Sequence, residues 1–316
     1  MCTAVSFISG DSYFGRNLDL EKSYGERVVV TPRNYPFSMR ALPTIDSHYA
    51  MIGMATVAGD YPLYYEATNE MGLSMAGLNF PDNAHYNAYK EDKDNVAPFE
   101  LIPYILGKCK DISQVKDLLW RINIVNINFS EALPLSPLHW IISDKERSIT
   151  VESVKEGLKI YDNPYGALTN NPTFDYHLMN INNYMNLHEG VGENRMSPEQ
   201  RLRAYSLGMG AFGLPGDYSS ASRFVRAVFI KEKSPCLEGE KERVSHFFHI
   251  LGGVAMPKGC VMTNSGEYEY TRYSSCCNAH KGIYYYTTYD NSAVTAVDMY
   301  SFNLQGSELC VSGIID

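Results

Sequence analysis

The 316-residue sequence has no CxxC pair, no HExxH or HxH cluster, no long basic run, and no low-complexity or repeated segment. Seven cysteines, an odd number without metal-ligand spacing, exclude a disulfide framework and point to reduced thiols. The histidines are scattered singly, so no metal and no cofactor are expected. A net charge of -9 without a basic patch argues against nucleic acid or an anionic lipid surface as partner. No apolar stretch approaches the ~20 residues of a membrane span, so no membrane partner is expected. The N-terminus also lacks the charged and apolar regions of a secretory signal, and a cytoplasmic location is the expectation. With 45% hydrophobic and 20% charged residues and nothing linker-like, the chain reads as one globular domain over residues 1–316.

What is present begins at the second residue. If Met1 is removed, Cys2 carries a thiol and a free α-amine together. The thiolate is the nucleophile, and a thiol of pKa about 8.5 needs a base or a positive neighbour to form it near neutral pH. An α-amine of pKa about 7.7–8.0 is such a base, already attached. Residues 2–7 and 12–17 are rich in β-branched and aromatic side chains around the turn signal Ser9-Gly10-Asp11, which predicts a hairpin. A turn centred on Gly10 places Leu18 opposite Cys2 and Arg16 one diagonal step away on the same face. A guanidinium there favours thiolate and neutral amine together. Asp19, just beyond, is suited to accept a hydrogen bond from the amine and orient it. Taken alone, a cysteine at position 2 is usually an ordinary small residue.

Strand patterns follow at 26–32 and 49–58, and 61–67 with 73–80 form a second hairpin around Asn69-Glu70-Met71-Gly72. Apolar residues at helical spacing predict helices at 98–108 and 112–122. Residues 138–143, 148–154 and 158–161 read as an antiparallel meander, with a short apolar stretch at 167–169. Helices are predicted at 174–187, 222–233 and 243–254, and strands at 267–277, 282–289 and 293–299. Cys276 and Cys277 lie in one of these strands, where alternation sends them to opposite faces as packing residues. Strands and helices in alternating blocks are an α+β pattern with two mainly antiparallel sheets, each covered by helices on its outer face.

Cys2 together with FGRNLDLE (14–21), GLNFP (77–81), LTNNPTFDY (168–176) and GLPGDYSSASRFVR (213–226) closely resembles the choloylglycine hydrolase family of N-terminal nucleophile hydrolases, over essentially the whole length. The resemblance implies a four-layered αββα fold, removal of Met1, a homotetramer, and cleavage of the amide bond in glycine- or taurine-conjugated bile acids. It implies Cys2 as nucleophile with Arg16 and Asp19 as its partners, Asn79 and Asn170 as oxyanion stabilisers, and Arg223 as an electrostatic support. Outside that context, Asn-Asn-Pro at 170–172 reads as a turn, Asn79 as a strand-end hydrogen bond and Arg223 as a helix-start surface charge. A steroid acyl group calls for an apolar pocket on loops near the hairpins, for which Leu20, Tyr24, Tyr65, Phe129 and Leu138 are the candidates. The plain alternative is that these are core residues.

Two rival functions remain. A penicillin V acylase of the same family would share Cys2, Arg16 and Asp19; asparagine at 79 resembles the bile-salt branch, where the penicillin branch tends to have tyrosine. A non-catalytic steroid-binding module would keep the pocket and retain Met1. An acyl-enzyme that admits an amine can also transfer the acyl group to an amino acid instead of water. Ser206-Leu207-Gly208 departs from the Ser-Arg-Gly or Gly-Thr-Gly of related enzymes, so glycine-versus-taurine preference stays open.

Overall fold

Strand β1 (Cys2–Ser9) turns at Gly10, whose φ of +68° suits glycine, into β2 (Asp11–Leu20). Pairing runs from Cys2↔Leu18 through Ala4↔Arg16 to Ser9↔Asp11, the register the sequence predicts. The computed structural model describes residues 1–314. The chain continues through β3 (Glu26–Thr31), β4 (Met51–Ala58), β5 (Tyr61–Asn69) and β6 (Ser74–Asn79), a run of antiparallel neighbours. A short parallel pair, β7 (Asp94–Val96) and β8 (Ile122–Ile124), brackets helices α1 (Leu101–Lys108) and α2 (Ile112–Leu119). The meander β9 (Leu138–Ser143), β10 (Ser148–Val154) and β11 (Gly157–Asp162) is followed by β12 (Ala167–Leu168). Helices α3 (Phe174–Asn180), α4 (Ser220–Glu232) and α5 (Glu240–Gly252) precede β13 (Tyr270–Asn278), β14 (Ile283–Thr288), β15 (Thr295–Asp298) and β16 (Cys310–Ile314).

These strands form a six-stranded sheet, β12-β1-β2-β13-β14-β15, and an eight-stranded sheet, β11-β10-β9-β6-β5-β4-β3-β16. Alternation along each strand sorts side chains into three cores. Cys2, Ala4, Phe14 and Leu18 meet Val28, Ile52, Ala76 and Leu78 between the sheets. Val5, Phe7 and Tyr13 face outward onto Ala227, Val244, Phe247 and Leu251 of α4 and α5. Met51, Met75, Trp140 and Ile142 face outward from the other sheet onto Leu101, Ile105, Val115 and Leu119 of α1 and α2. The result is an α+β architecture of four layers, αββα. Cys276 joins the helix-covered core and Cys277 the inter-sheet core, as alternation requires.

Three expectations shift. The predicted helix 174–187 is α3 followed by a 3-10 turn over Ile181–Tyr184. The edge strand β16 and the pair β7–β8 have no counterpart in the sequence reading, because short edge pairs carry little periodicity of their own. No helix among the described residues is long and apolar enough to cross a membrane.

Candidate active site

Cys2 is buried at the start of β1, its side chain in the inter-sheet core. Arg16 lies diagonal to it on β2 and is fully buried. A β-bulge in β5 explains how a guanidinium fits here. Met54 pairs with Glu66 and Ala55 with Tyr64, so Tyr65 is the extra residue that leaves the ladder. Arg16 Nη1 takes up carbonyls at this break, donating to Tyr65 O at 3.0 Å and Gly77 O at 2.6 Å. Among the described residues Nε and Nη2 have no hydrogen-bond partner, leaving donor capacity for a thiolate or substrate.

The counter-charge is Glu66, whose Oε2 lies 3.8 Å from Arg16 Nε. Its carboxylate accepts from Tyr273 Oη at 2.7 Å, Tyr284 Oη at 2.5 Å and Ser275 Oγ at 3.0 Å. Burial pushes the Glu66 carboxyl above its ordinary range, against the pull of Arg16 and the three hydroxyls. For Arg16 the burial penalty is outweighed by Cys2, Tyr273, Glu66 and Asp19, which hold the guanidinium charged. Asp19 Oδ1 accepts from Thr271 Oγ1 at 2.6 Å, while Oδ2 is buried without a hydrogen-bond partner among the described residues.

Asn170 joins the other elements to this hairpin. Its Oδ1 accepts from Cys2 N at 2.9 Å and from Arg223 Nη2 at 2.7 Å, and its Nδ2 donates to Asn79 O at 2.7 Å. Its own N–H donates to Ser220 Oγ at 2.8 Å in the first turn of α4. Arg223, one turn further on, is fully buried and donates from Nη1 to Cys2 O at 2.5 Å and Thr3 Oγ1 at 2.7 Å. Sequence reasoning by default would make it a surface charge; the fold turns it inward because α4 begins against β1.

Met1 extends the β1–β2 ladder, with Asp19 N donating to Met1 O at 3.0 Å and the Met1 ammonium donating to Asp19 O at 2.8 Å. That ammonium also pairs with Glu269. Burial lowers its pKa; Cys2 and Asp19 oppose the shift, and Arg223 and Arg16 add to it.

The candidate substrate residues divide. Leu20 and Tyr65 pack against the same inter-sheet core as Cys2. Tyr65 Oη meets Thr56 Oγ1 at 2.9 Å, and that hydroxyl donates to the carbonyl of exposed Tyr24 at 3.1 Å. Thr56 thus links Tyr24 to Tyr65. Phe129 instead packs against Tyr61 and Phe99, with ring centroids at 5.7 and 5.2 Å, along an open cleft of about 830 Å3 lined also by Arg40, Val57 and Leu309. Leu138 packs against the helix-covered core on the outer face of the eight-stranded sheet.

Residues 2–312 match the family of linear amide C-N hydrolases described as the choloylglycine hydrolase family. The chain belongs to this family. Among its relatives, the bile salt hydrolase/transferase of Lactiplantibacillus plantarum is 54% identical over 98% of this chain and 95% of the relative. That of Clostridium perfringens is 40% identical over 98% and 95%. The crystal structure of the C2A mutant of the conjugated bile acid hydrolase from Clostridium perfringens superposes with a TM-score of 0.92 at 37% identity, over 99% of this chain and 97% of that one. Penicillin V acylase from Agrobacterium tumefaciens shares the fold, with a TM-score of 0.78 at 21% identity over 98% of this chain and 90% of that one.

Several residues that build this site escaped sequence reasoning: Glu66, Ser220, Thr271 and Glu269. Glu66 left one signal, as the only charged side chain in the strand YPLYYEATN. A lone carboxylate on a buried strand needs a partner, but the sequence does not say which.

Proposed function

We propose that this enzyme hydrolyses the amide bond of glycine- or taurine-conjugated bile acids, with Cys2 as an N-terminal nucleophile after loss of Met1. The observation that carries the reading is the convergence of Arg16 and Asp19 of β2, Asn170 after β12 and Arg223 of α4, three separate segments, on the buried Cys2. The names of the bile-salt-hydrolysing relatives support the substrate class, and Asn79 favours it over penicillin V.

In the first half-reaction the Cys2 α-amine takes the thiol proton and the sulfur attacks the amide carbonyl. Arg16, whose Nε and Nη2 have no hydrogen-bond partner among the described residues, offers N–H groups to the sulfur or the substrate, and Asp19 orients the amine. The oxyanion is held by Asn170 Nδ2 and the backbone N–H of Asn79; one such donor is worth about 3–4 kcal/mol in the transition state. The C–N bond breaks as the α-ammonium returns its proton to the departing nitrogen, releasing glycine or taurine and leaving a thioester on Cys2. Water, deprotonated by the same amine, cleaves the thioester and frees the bile acid. Loss of Met1 makes the free amine out of Cys2 N, which donates to Asn170 Oδ1 at 2.9 Å. A free amino acid in place of water gives a new conjugate, the transferase activity.

Leu20, Tyr24 and Tyr65 form the near wall of the steroid site, and Phe129 and Leu138 are its outlying candidates. The chain acts as a single domain over residues 1–316, in the cytoplasm, as a homotetramer. The segment from 186 to 214 supports assembly: it leaves Met196, Tyr205, Leu207 and Phe212 exposed, more apolar surface than an isolated loop usually presents.

The test is the initial rate of amide cleavage by the mass-checked protein lacking Met1 on glycocholate, taurocholate and penicillin V. Faster bile-salt cleavage is expected, and it ranks glycine against taurine. Faster penicillin V cleavage would overturn the substrate class, and binding without turnover would replace the enzyme with a binding module.

A further inference from the structure

Away from the catalytic hairpin, His139, Glu152 and His177 are titratable side chains that are fully buried with no part in the chemistry above. His139 sits in β9 opposite Leu78, on the inter-sheet face. Its ring lies flat on Phe80, the residue after Asn79, with centroids 4.2 Å apart and planes 6° from parallel. Its Nε2 is 3.0 Å from Thr169 O, the residue before Asn170. A carbonyl only accepts, so Nε2 carries the hydrogen. Nδ1 is 3.0 Å from Glu152 Oε1, which also accepts from Phe174 N at 3.0 Å. One helical turn into α3, His177 Nε2 donates to Asn170 O at 3.0 Å.

We propose that His139, oriented by Glu152, is a positioning residue that locks Asn79 and Asn170 together into one oxyanion site. One face of the ring fixes the segment carrying Asn79, and one edge fixes the segment carrying Asn170. His177 holds the adjacent carbonyl, so the loop cannot drift while its side chain bridges Asn79 O, Cys2 N and Arg223. An apolar ring of similar size would fill the same volume without burying an imidazole and a carboxylate. What the hydrogen bonds add is direction, on which oxyanion stabilisation depends.

The inference rests on the proposed oxyanion role of Asn79 and Asn170, and the experiment separates the two. His139→Phe keeps a flat ring on Phe80 but removes both ring nitrogens and their hydrogen bonds to Thr169 O and Glu152. Its kcat for glycocholate hydrolysis is expected to fall about 10- to 100-fold, the scale of a displaced oxyanion donor, with KM changed by less than about threefold. Alkylation of Cys2 by iodoacetamide needs a thiolate but no oxyanion donor, so its rate is expected to stay at the wild-type value. His139→Gln, whose side-chain amide can reach Thr169 O, is expected to recover part of the lost kcat, and it carries the test if His139→Phe does not fold.

Wild-type kcat in a folded variant, or a parallel loss of turnover and alkylation, would overturn the proposal. A crystal structure of the variant gives a readout without substrate: the Asn170 Nδ2 to Asn79 O hydrogen bond is expected to be broken, and its survival at the wild-type length counts against the coupling. If the wild-type protein cleaves no bile-salt conjugate, the functional reading falls, and the coupling is then decided by that structure alone.

Discussion

The Asn170 side chain ties Cys2, Asn79 and Arg223 together, and its replacement separates catalysis from stability. Asn170→Ala removes the Nδ2 donor and leaves Cys2 N, Arg223 Nη2 and Asn79 O without their partner. Loss of one oxyanion donor costs about 10²- to 10³-fold in kcat. Hydrogen bonds to charged groups contribute about 1.5–3 kcal/mol and neutral ones about 1, so loss of one of the first and two of the second is expected to cost about 3.5–5 kcal/mol of stability as well. Asn170→Asp divides the two effects. It keeps an acceptor for Arg223 and so retains more stability, but it presents a carboxylate where negative charge must develop. Its kcat is expected to be at least as low as that of the alanine variant. The assays are initial rates of glycocholate hydrolysis and urea unfolding midpoints for both variants. An Asn170→Asp protein with kcat within about threefold of wild type would refute an oxyanion role.

Other consequences follow from the same packing. Cys2→Ala is expected to abolish hydrolysis and Cys2→Ser to leave at most a trace, because an alcohol is far harder to ionise; rates on glycocholate check this. Arg16→Met strands Glu66 and two carbonyls and is expected to cost about 3–5 kcal/mol in urea unfolding, with part regained when Glu66→Gln is added. A Cβ at Gly15 would lie 1.9 Å from Ser275 O, so Gly15→Ala is expected to push β13 off β2 and destabilise by more than about 2 kcal/mol, measured the same way. His177 has its pKa lowered to about 4, by burial first and then by His139 and Arg223, despite its bond to Asn170 O. Above about pH 6.5 both folded and unfolded states carry it neutral; below that the unfolded chain protonates first, so stability falls towards pH 4 by about 3 kcal/mol from this group. Unfolding midpoints at those two pH values, for wild type and His177→Gln, are expected to differ less in the variant.

The first hairpin was legible because a turn residue and strict alternation fix a register locally: Cys2, Arg16 and Leu18 fall where a turn at Gly10 puts them. The order of strand and helix blocks gave the α+β class for the same reason. What could not be read is what depends on distant segments meeting. The bulge at Tyr65 that opens two carbonyls to Arg16, the inward turn of Arg223 and the bridge from Asn170 to Asn79 span separations of 49 to 221 residues. Of these residues Asn79, Asn170 and Arg223 entered through family motifs, not through periodicity. Phe129 and Leu138 show the limit of reading a pocket from apolar residues near a loop, since each packs with the outer layer.

The central claim is that chemistry runs through a thioester on an N-terminal Cys2. Intact-mass and peptide analysis of protein quenched in acid while turning over glycocholate tests it most directly. A chain lacking Met1, with a cholyl group on the peptide that begins at Cys2, is the expected result. Full turnover by a chain that retains Met1, or an adduct on any other residue, would contradict it.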